Sequence, residues 1–206
     1  MFYSEKNDKM LRFGDVVRGF ACGKLLIEQP FVDGLPSVYR VEVCHRLAIV
    51  LSPCCAIRDG YLQLAPLQQV EPNWYLNSSW INDLTVINKP MEAREAVPPY
   101  KWDNMDPTER TRRVAMGKQY TLADYFVYAP NSLLGDYEIS CQRTTHVQGH
   151  YAVDFRAIVC VKCPLVIKPE KFPIETKLLQ LSKETRASLR DKLSYYYGKT
   201  PEEDAL

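Results

Sequence analysis

Short apolar runs separated by glycine, proline and aspartate dominate the first third of the chain. The three runs are Gly14 to Val17, Arg46 to Leu51 and Tyr61 to Leu67. Runs of four to eight such residues between turn-forming residues predict β-strands. Because these strands are short and carry polar residues at their ends, the pattern predicts a small, strongly curved β-barrel from about Leu11 to Val70.

The stretch between the first two runs, Cys22 to Val43, predicts either a long loop or a hairpin. An Asp-Gly pair within Val32 to Leu35 is typical of a tight turn. Val38 to Val43 alternates between apolar and polar residues, which predicts a strand with Val41 and Val43 on one face.

Residues 71–136 lose this periodicity and predict an ordered insertion rich in proline and tryptophan. Asp106-Pro107-Thr108-Glu109 has the N-cap aspartate, the first-turn proline and the following glutamate of a helix start. We expect that helix to end near Met116. Thr121-Leu122-Ala123-Asp124 has the spacing of a second capping box, and it predicts a short helix to about Tyr128.

Two long β-type runs follow the insertion, at Tyr137 to Thr145 and Tyr151 to Lys162. They are joined through residues 146–150, where Gly149 can take the positive φ of a tight turn. The pattern predicts a β-hairpin over residues 137–167 that completes the barrel.

The last segment, residues 174–198, predicts an amphipathic helix with Ser182 as N-cap and Gly198 as its end. Its apolar positions recur at helical spacing: Leu189, Leu193, Tyr196 and Tyr197. The helix would pack on the barrel, contact a second copy of the chain, or bind a partner. Together the elements predict one α+β domain over residues 1–206.

The net charge and the distribution of apolar residues limit which functions are expected of this protein. A net charge of +1 gives no overall reason to expect nucleic acid, so only a local basic cluster would bind it. The polar residues 1–10 lack the apolar core of a secretion signal, and no apolar run approaches the roughly 18 residues of a membrane span. We therefore expect a cytoplasmic protein with no membrane partner.

Seven cysteines at irregular spacing predict reduced thiols rather than disulfides. Cys160 and Cys163 have C-x-x-C spacing, but alternation along a strand would place them on opposite faces. Without a second ligand pair of suitable geometry, we expect no metal and no other cofactor. A cysteine nucleophile at Cys54 or Cys55, activated by a nearby histidine, is a separate alternative.

Three segments resemble, in order, the strand motifs of the PemK/MazF group of bacterial toxin endoribonucleases: Gly14-Asp15-Val16, Arg46 to Ser52 and Ala65-Pro66-Leu67. The resemblance covers residues 11–70, and the rest of the chain would be a bacterial extension of that barrel. It implies the barrel fold, RNA cleavage without a metal, a homodimer and an antitoxin partner.

Metal-independent RNA cleavage needs a base, a cation that neutralises the charge on phosphorus, and an acid. The resemblance implies that Arg46 stabilises the phosphate and that Ser52 supplies a supporting hydroxyl. His45 is our candidate for the acid or base, while Asp59 and Glu42 also lie nearby in the sequence. Alternatively, Arg46 forms a structural salt bridge where its strand begins.

Two positions depart from the toxin pattern. Leu47 follows the arginine where the toxins usually have proline, and Gln68-Gln69 stands where threonine or serine is usual. These departures favour a second hypothesis, in which the same barrel binds single-stranded nucleic acid or a protein partner without cleaving anything.

A basic cluster supports nucleic-acid binding. Arg110, Arg112 and Arg113 lie on the predicted helix, and Trp102 precedes it. Arginine contacts phosphate in two-pronged fashion, and an aromatic ring stacks on bases, so these residues predict a site for RNA or another single strand. The alternatives are a solvated helix face and an adaptor that recognises protein through the exposed edge of the hairpin.

Overall fold

The computed structural model of the chain describes residues 1–8, 10–27, 39–45, 47–53, 56–72, 74, 83–89, 97, 101–102, 104–116, 118, 122–141, 144–163 and 176–198. It is a mixed α+β structure, and its strand pairings are antiparallel.

Eleven strands and two α-helices are described from end to end. The strands are β1 Val16–Val17, β2 Ala21–Ile27, β3 Tyr39–His45, β4 Ala48–Val50, β5 Tyr61–Gln69, β6 Tyr125–Tyr128, β7 Tyr137–Cys141, β8 Thr144–Gln148, β9 Tyr151–Asp154, β10 Val159–Lys162 and β11 Lys177–Leu179. The helices are α1 Pro107–Ala115 and α2 Lys183–Tyr197, and short 3₁₀ turns lie at Ala56–Asp59, Leu84–Asn88 and Phe155–Ala157. No closed barrel forms among the described strands.

The chain folds as two compact units that alternate along the sequence. Unit 1 comprises Met1–Glu5, Gln68–Arg156 and Leu181–Leu206. Unit 2 comprises Lys6–Leu67 and Ala157–Gln180. The prediction of a single domain stays a prediction.

Unit 2 is built on an antiparallel sheet in the order β11, β1, β4, β5, with β10 paired to β5. In β5 the side chains of Leu62 and Leu64 are buried while Tyr61 and Gln63 face solvent, which is the alternation expected of a strand with one face on the core. The buried apolar residues of this core are Leu11, Val17, Ala48, Val50, Ile57, Leu62 and Leu64.

The stretch from Cys22 to Val43 contains the predicted hairpin. β2 pairs with β3 along its length, from Ala21 opposite His45 to Ile27 opposite Tyr39. The hairpin alternative is therefore confirmed, and so is the strand predicted near Val38 to Val43. The predicted turn at residues 32–35 lies outside the described residues.

A buried ion pair stabilises the start of unit 2. The carboxylate of Asp15, just before β1, lies 2.8 Å from the ammonium of Lys177 in β11, and both side chains are almost fully buried. Lys177 also donates to the carbonyl of Met10 and to Gln180, and the backbone N–H of Arg12 donates to Asp15. The aspartate of the Gly14-Asp15-Val16 motif thus joins two distant strands.

Unit 1 contains the β6–β9 pair, the β7–β8 hairpin and both helices. Asn88 at the end of a 3₁₀ turn donates to the carbonyl of Val127 and accepts from its N–H, which fixes the turn to β6. The buried core residues of this unit are Val70, Trp74, Leu84, Ile87, Val97, Trp102, Val127, Tyr137, Ile139 and Ala152.

Both helices with clear end signals are confirmed. Asp106 accepts hydrogen bonds from the N–H groups of Thr108 and Glu109, and α1 ends at Ala115 as predicted. Ser182 caps α2 by accepting from the N–H of Thr185, and Gly198 follows its last turn. The preceding residues 177–179 form β11, so the helix begins later than residue 174.

The second capping box predicted a helix to Tyr128, and this prediction is wrong. Residues Tyr125–Tyr128 form β6, which pairs with β9. Phe126, Val127 and Tyr128 are aromatic or β-branched and fully buried, so burial in a sheet outweighs the local helix-start signal.

The predicted hairpin with its turn at residues 146–150 is also wrong. The turn falls within the first run, between β7 and β8, while β9 pairs with β6 and β10 with β5. Gly149 does not have a positive φ. A Cβ there would lie 2.7 Å from a carboxylate oxygen of Asp136 and 3.0 Å from Pro130, so close packing favours glycine at this position.

Within the described residues, neither helix has the length and apolar content that a bilayer crossing requires.

Candidate nucleic-acid interface

The helix α1 begins at a strong local signal. The carboxylate of Asp106 accepts from the N–H of Thr108 at 2.8 Å and of Glu109 at 3.3 Å. Pro107 occupies the first helical position, where a missing N–H costs nothing. The bonds from the two backbone N–H groups hold the pKa of Asp106 below its usual range, so the cap stays ionised.

One side of α1 packs on the core of unit 1. Val114 and Met105 contact that core cluster, which includes Trp102. No side chain of the helix itself is fully buried. The polar side chains of α1 are therefore left for solvent or for a ligand.

Arg110, Arg112 and Arg113 form what we call the α1 arginine cluster. The guanidinium of Arg112 binds Glu109 with two parallel hydrogen bonds of 2.7 Å each. Arg113 donates to the same carboxylate at 3.1 Å. This bonding, above all from Arg112, lowers the pKa of Glu109 to about 2, so the carboxylate is charged at any physiological pH.

The members of the cluster differ in exposure and in partners. The Arg112 side chain is 59% exposed and that of Arg113 is 26% exposed. Arg110 is half-buried and forms no salt bridge with any residue that the structure describes. Lys118 follows the helix, with its N–H donating to the carbonyl of Arg113. Positive charge thus exceeds negative charge along this segment.

Trp102, expected to stack on bases, lies in the core of unit 1. Its side chain is 3% exposed, and it belongs to the same buried cluster as Trp74. A base could reach this ring only after the core had opened. Sequence spacing put Trp102 next to the arginines but carried no information on which way its ring points.

The structure describes the three candidate cleavage residues, Arg46, His45 and Ser52, to different extents. Arg46 lies outside the described residues. His45 is the last residue of β3, and nothing of its side chain is described. Ser52 follows β4 with 2% of its surface exposed, and its hydroxyl accepts a 2.7 Å hydrogen bond from the N–H of Gln63 in β5. That bond ties the end of β4 to its neighbour.

The cysteines were the other chemical candidates. Cys160 is an exposed thiol and Cys163 a half-buried one, whereas Cys54 and Cys55 fall outside the described residues. Among the side chains that the structure describes, no group of three or more His, Cys, Asp or Glu is arranged to hold a metal ion.

Sequence reasoning missed two charged features. It treated Glu109 as part of a cap, although its spacing of three and four residues from Arg112 and Arg113 is the helical ion-pair spacing. It also missed Lys192, which lies buried on α2 with its ammonium group donating to the carbonyl of Ile87. The neighbouring sequence did not predict the burial of Lys192, because the residues around it are mostly polar.

Comparison of the chain with protein-family models, with curated proteins and with solved structures gave no match.

Proposed function

We propose that this chain is a toxin-like or defence-associated protein that binds single-stranded nucleic acid through the α1 arginine cluster. The observation that carries the proposal is the presentation of Arg110, Arg112 and Arg113 on one short helix whose polar side chains are not covered by the core. Guanidinium groups in this setting suit the phosphodiester backbone that RNA and DNA share.

The proposal includes the PemK/MazF-like barrel and cleavage of RNA without a metal. In this mechanism Arg46 neutralises the charge that develops on the phosphorus, and His45 transfers a proton. In the same mechanism Ser52 supplies a supporting hydroxyl. A homodimer, an antitoxin partner and a cytoplasmic location belong to the same proposal.

Binding is tested by fluorescence anisotropy with labelled single strands of about 15 nucleotides, as RNA and as DNA of one sequence. Replacing both Arg112 and Arg113 by alanine should weaken binding by about tenfold at low salt. Lys183→Ala/Arg190→Ala is the matched control, since it also removes two positive charges, both from exposed positions on α2. Equal losses in both variants would refute binding through α1.

Cleavage is tested separately with mixed single-stranded RNA in EDTA. The wild-type protein should cut it, and Arg46→Ala should abolish cutting while leaving the circular dichroism spectrum unchanged. Unchanged cleavage by Arg46→Ala would remove the proposed mechanism. If the wild type binds RNA but does not cut it, the protein is a binding module and not an enzyme.

A second candidate function is protein recognition through strand β8. The supporting observation is that β8 pairs with β7 alone among the described strands and carries Val147, which is 67% exposed. An extended partner segment could add a strand beside it. A stoichiometric partner that co-purifies with wild type and with Leu133→Lys, but is lost from Val147→Lys, would support this function over nucleic-acid binding. Leu133 is an exposed apolar residue elsewhere in unit 1.

A further inference from the structure

The carboxylate of Glu109 occupies the positions on Arg112 that a phosphate group would use. Its two oxygens accept one hydrogen bond each from Nε and Nη2 of Arg112, and the N···O distance is 2.7 Å in both. Arginine binds phosphate through the same pair of parallel hydrogen bonds. A phosphodiester and Glu109 therefore cannot take these two donors at the same time.

Arg113 adds to the competition. Its Nε donates to the same oxygen of Glu109, so a single carboxylate engages two of the three arginines in the cluster. Arg110 has no such partner among the described residues, although it lies near the charge of Asp106. In the free protein, two of the three phosphate-binding groups are thus already satisfied within the helix.

We propose that Glu109 is an internal competitor for the nucleic-acid backbone, which sets how tightly the α1 arginine cluster binds a single strand. This inference rests on the proposed function. When a strand binds, its phosphates displace Glu109 from Arg112 and Arg113, and the freed carboxylate turns to solvent. Exposed ion pairs are weak, so the competition lowers affinity without preventing binding.

The low pKa of Glu109 makes this competition constant across physiological pH, because protonation would release the arginines only near pH 2. A regulator would have to act on the carboxylate by other means. Binding of a cation or of a basic partner segment to Glu109 would release Arg112 and Arg113 from this carboxylate without any change in the fold.

The test compares Glu109→Gln with Glu138→Gln in the anisotropy assay with labelled single-stranded RNA. Both variants raise the net charge by one, and Glu138 is an exposed residue of β7 in the same unit. Glu109→Gln should bind about two- to fivefold more tightly than wild type at low salt. Its affinity should also fall more steeply with salt than that of wild type, because salt screens the ion pair between Glu109 and the arginines and so removes the competition from wild type. Glu138→Gln should leave both quantities nearly unchanged.

A second comparison separates competition from a general effect of charge. In the Arg112→Ala/Arg113→Ala background, Glu109→Gln should no longer increase affinity, because the groups it would release are gone. Unchanged or weaker binding by Glu109→Gln, with the helix content intact, would show that Glu109 positions the arginines and would overturn the inference. Equal tightening by both glutamine variants would overturn it as well.

The two proposals fail in different ways. If wild-type binding depends on Arg112 and Arg113 but Glu109→Gln does not improve it, only the role of Glu109 is refuted. If neither wild type nor Glu109→Gln binds RNA, the proposed function and this inference are both refuted.

Discussion

Lys192 is a lysine in an environment that disfavours its charge. Its side chain is 3% exposed, and its ammonium group donates to the carbonyl of Ile87. Burial lowers the pKa of Lys192 to about 7, and the charge of Asp124 opposes that shift. An unfolded chain would give the same lysine a pKa of about 10.4. Folding therefore releases a proton from this residue over a wide range of pH.

We predict that the protein becomes more stable as the pH rises from about 7 to about 10. In this window the unfolded state holds a proton on Lys192 that the folded state has lost, so the free energy of unfolding increases with pH. The contribution of Lys192 between pH 7 and 9.5 should be about 2–3 kcal/mol, since each pKa unit corresponds to about 1.4 kcal/mol.

Urea unfolding of Lys192→Met at the two pH values checks this prediction. The variant should lose most of the rise in stability that wild type shows. Lys183→Met, at an exposed position on the same helix, should keep that rise. If Lys192→Met and wild type depend equally on pH, the buried lysine is not responsible.

The ion pair between Asp15 and Lys177 is also buried, but here each charge has a partner. We predict that Asp15→Asn destabilises the protein by about 2–3 kcal/mol, because the buried ammonium then keeps only the partly exposed carboxylate of Asp8, 3.3 Å away, as an opposite charge among the described residues. Thermal unfolding measures the change. Asp191→Asn, which removes an exposed acid beside Arg190, should stay within about 0.5 kcal/mol. The double variant Asp15→Asn/Lys177→Met should recover part of the loss, and no recovery would contradict the pairing argument.

At the scale of elements, the hydroxyl of Tyr137 connects three parts of unit 1. It accepts from the N–H of Val70 at 3.0 Å and donates to the carbonyl of His150. Tyr137 itself lies in β7, while Val70 follows β5 and His150 precedes β9. One phenolic oxygen thus satisfies backbone groups at the ends of two strands.

We predict that Tyr137→Phe lowers stability by about 2 kcal/mol, because it leaves buried backbone groups without partners. Hydrogen exchange should also become faster at the Val70 amide, whose donor would lose its acceptor. Tyr197→Phe, at an exposed position on α2, serves as the control and should have little effect. Unaltered exchange at Val70 would mean that this hydrogen bond contributes nothing.

Some helices and strands could be predicted from the sequence and others could not. The N-terminal ends of α1 and α2 were predictable because the capping interaction is local. The side chains of Asp106 and Ser182 accept hydrogen bonds from backbone N–H groups only two or three residues further along the chain. The strand β6 was not predictable, because its partner β9 lies more than 20 residues further on and outweighs a local capping box. The hairpin turn was misplaced because Gln142 and Arg143, which separate β7 from β8 in the sequence, include none of the glycine, proline, asparagine or aspartate that usually marks a turn.

At the scale of the whole molecule, the candidate site was predictable only in part. The arginine cluster could be found from composition and helix phase, but the burial of Trp102 depends on contacts with residues far along the chain. The same holds for Lys177, whose partner Asp15 is 162 residues away. The division into two interleaved units had no marker such as a linker of distinct composition.

The small net charge leads to a prediction for the intact protein. With a charge of +1 and one cluster of three arginines, few phosphates can be contacted together. The slope of log K against log salt for single-stranded RNA should therefore not exceed about 3 in magnitude. Anisotropy titrations between about 50 and 200 mM salt would measure it. A much steeper slope would require a second basic surface.

The sheet order of unit 2 has a consequence for synthesis on the ribosome. β1, β4 and β5 emerge early and can pair with one another, but among the described strands it is β11 that covers the outer side of β1. About 110 residues separate the end of β5 from the start of β11. At about 5–20 residues per second, a nascent chain would hold that edge open for roughly 5–20 s, long enough for a chaperone to bind it or for a neighbouring nascent chain to pair with it.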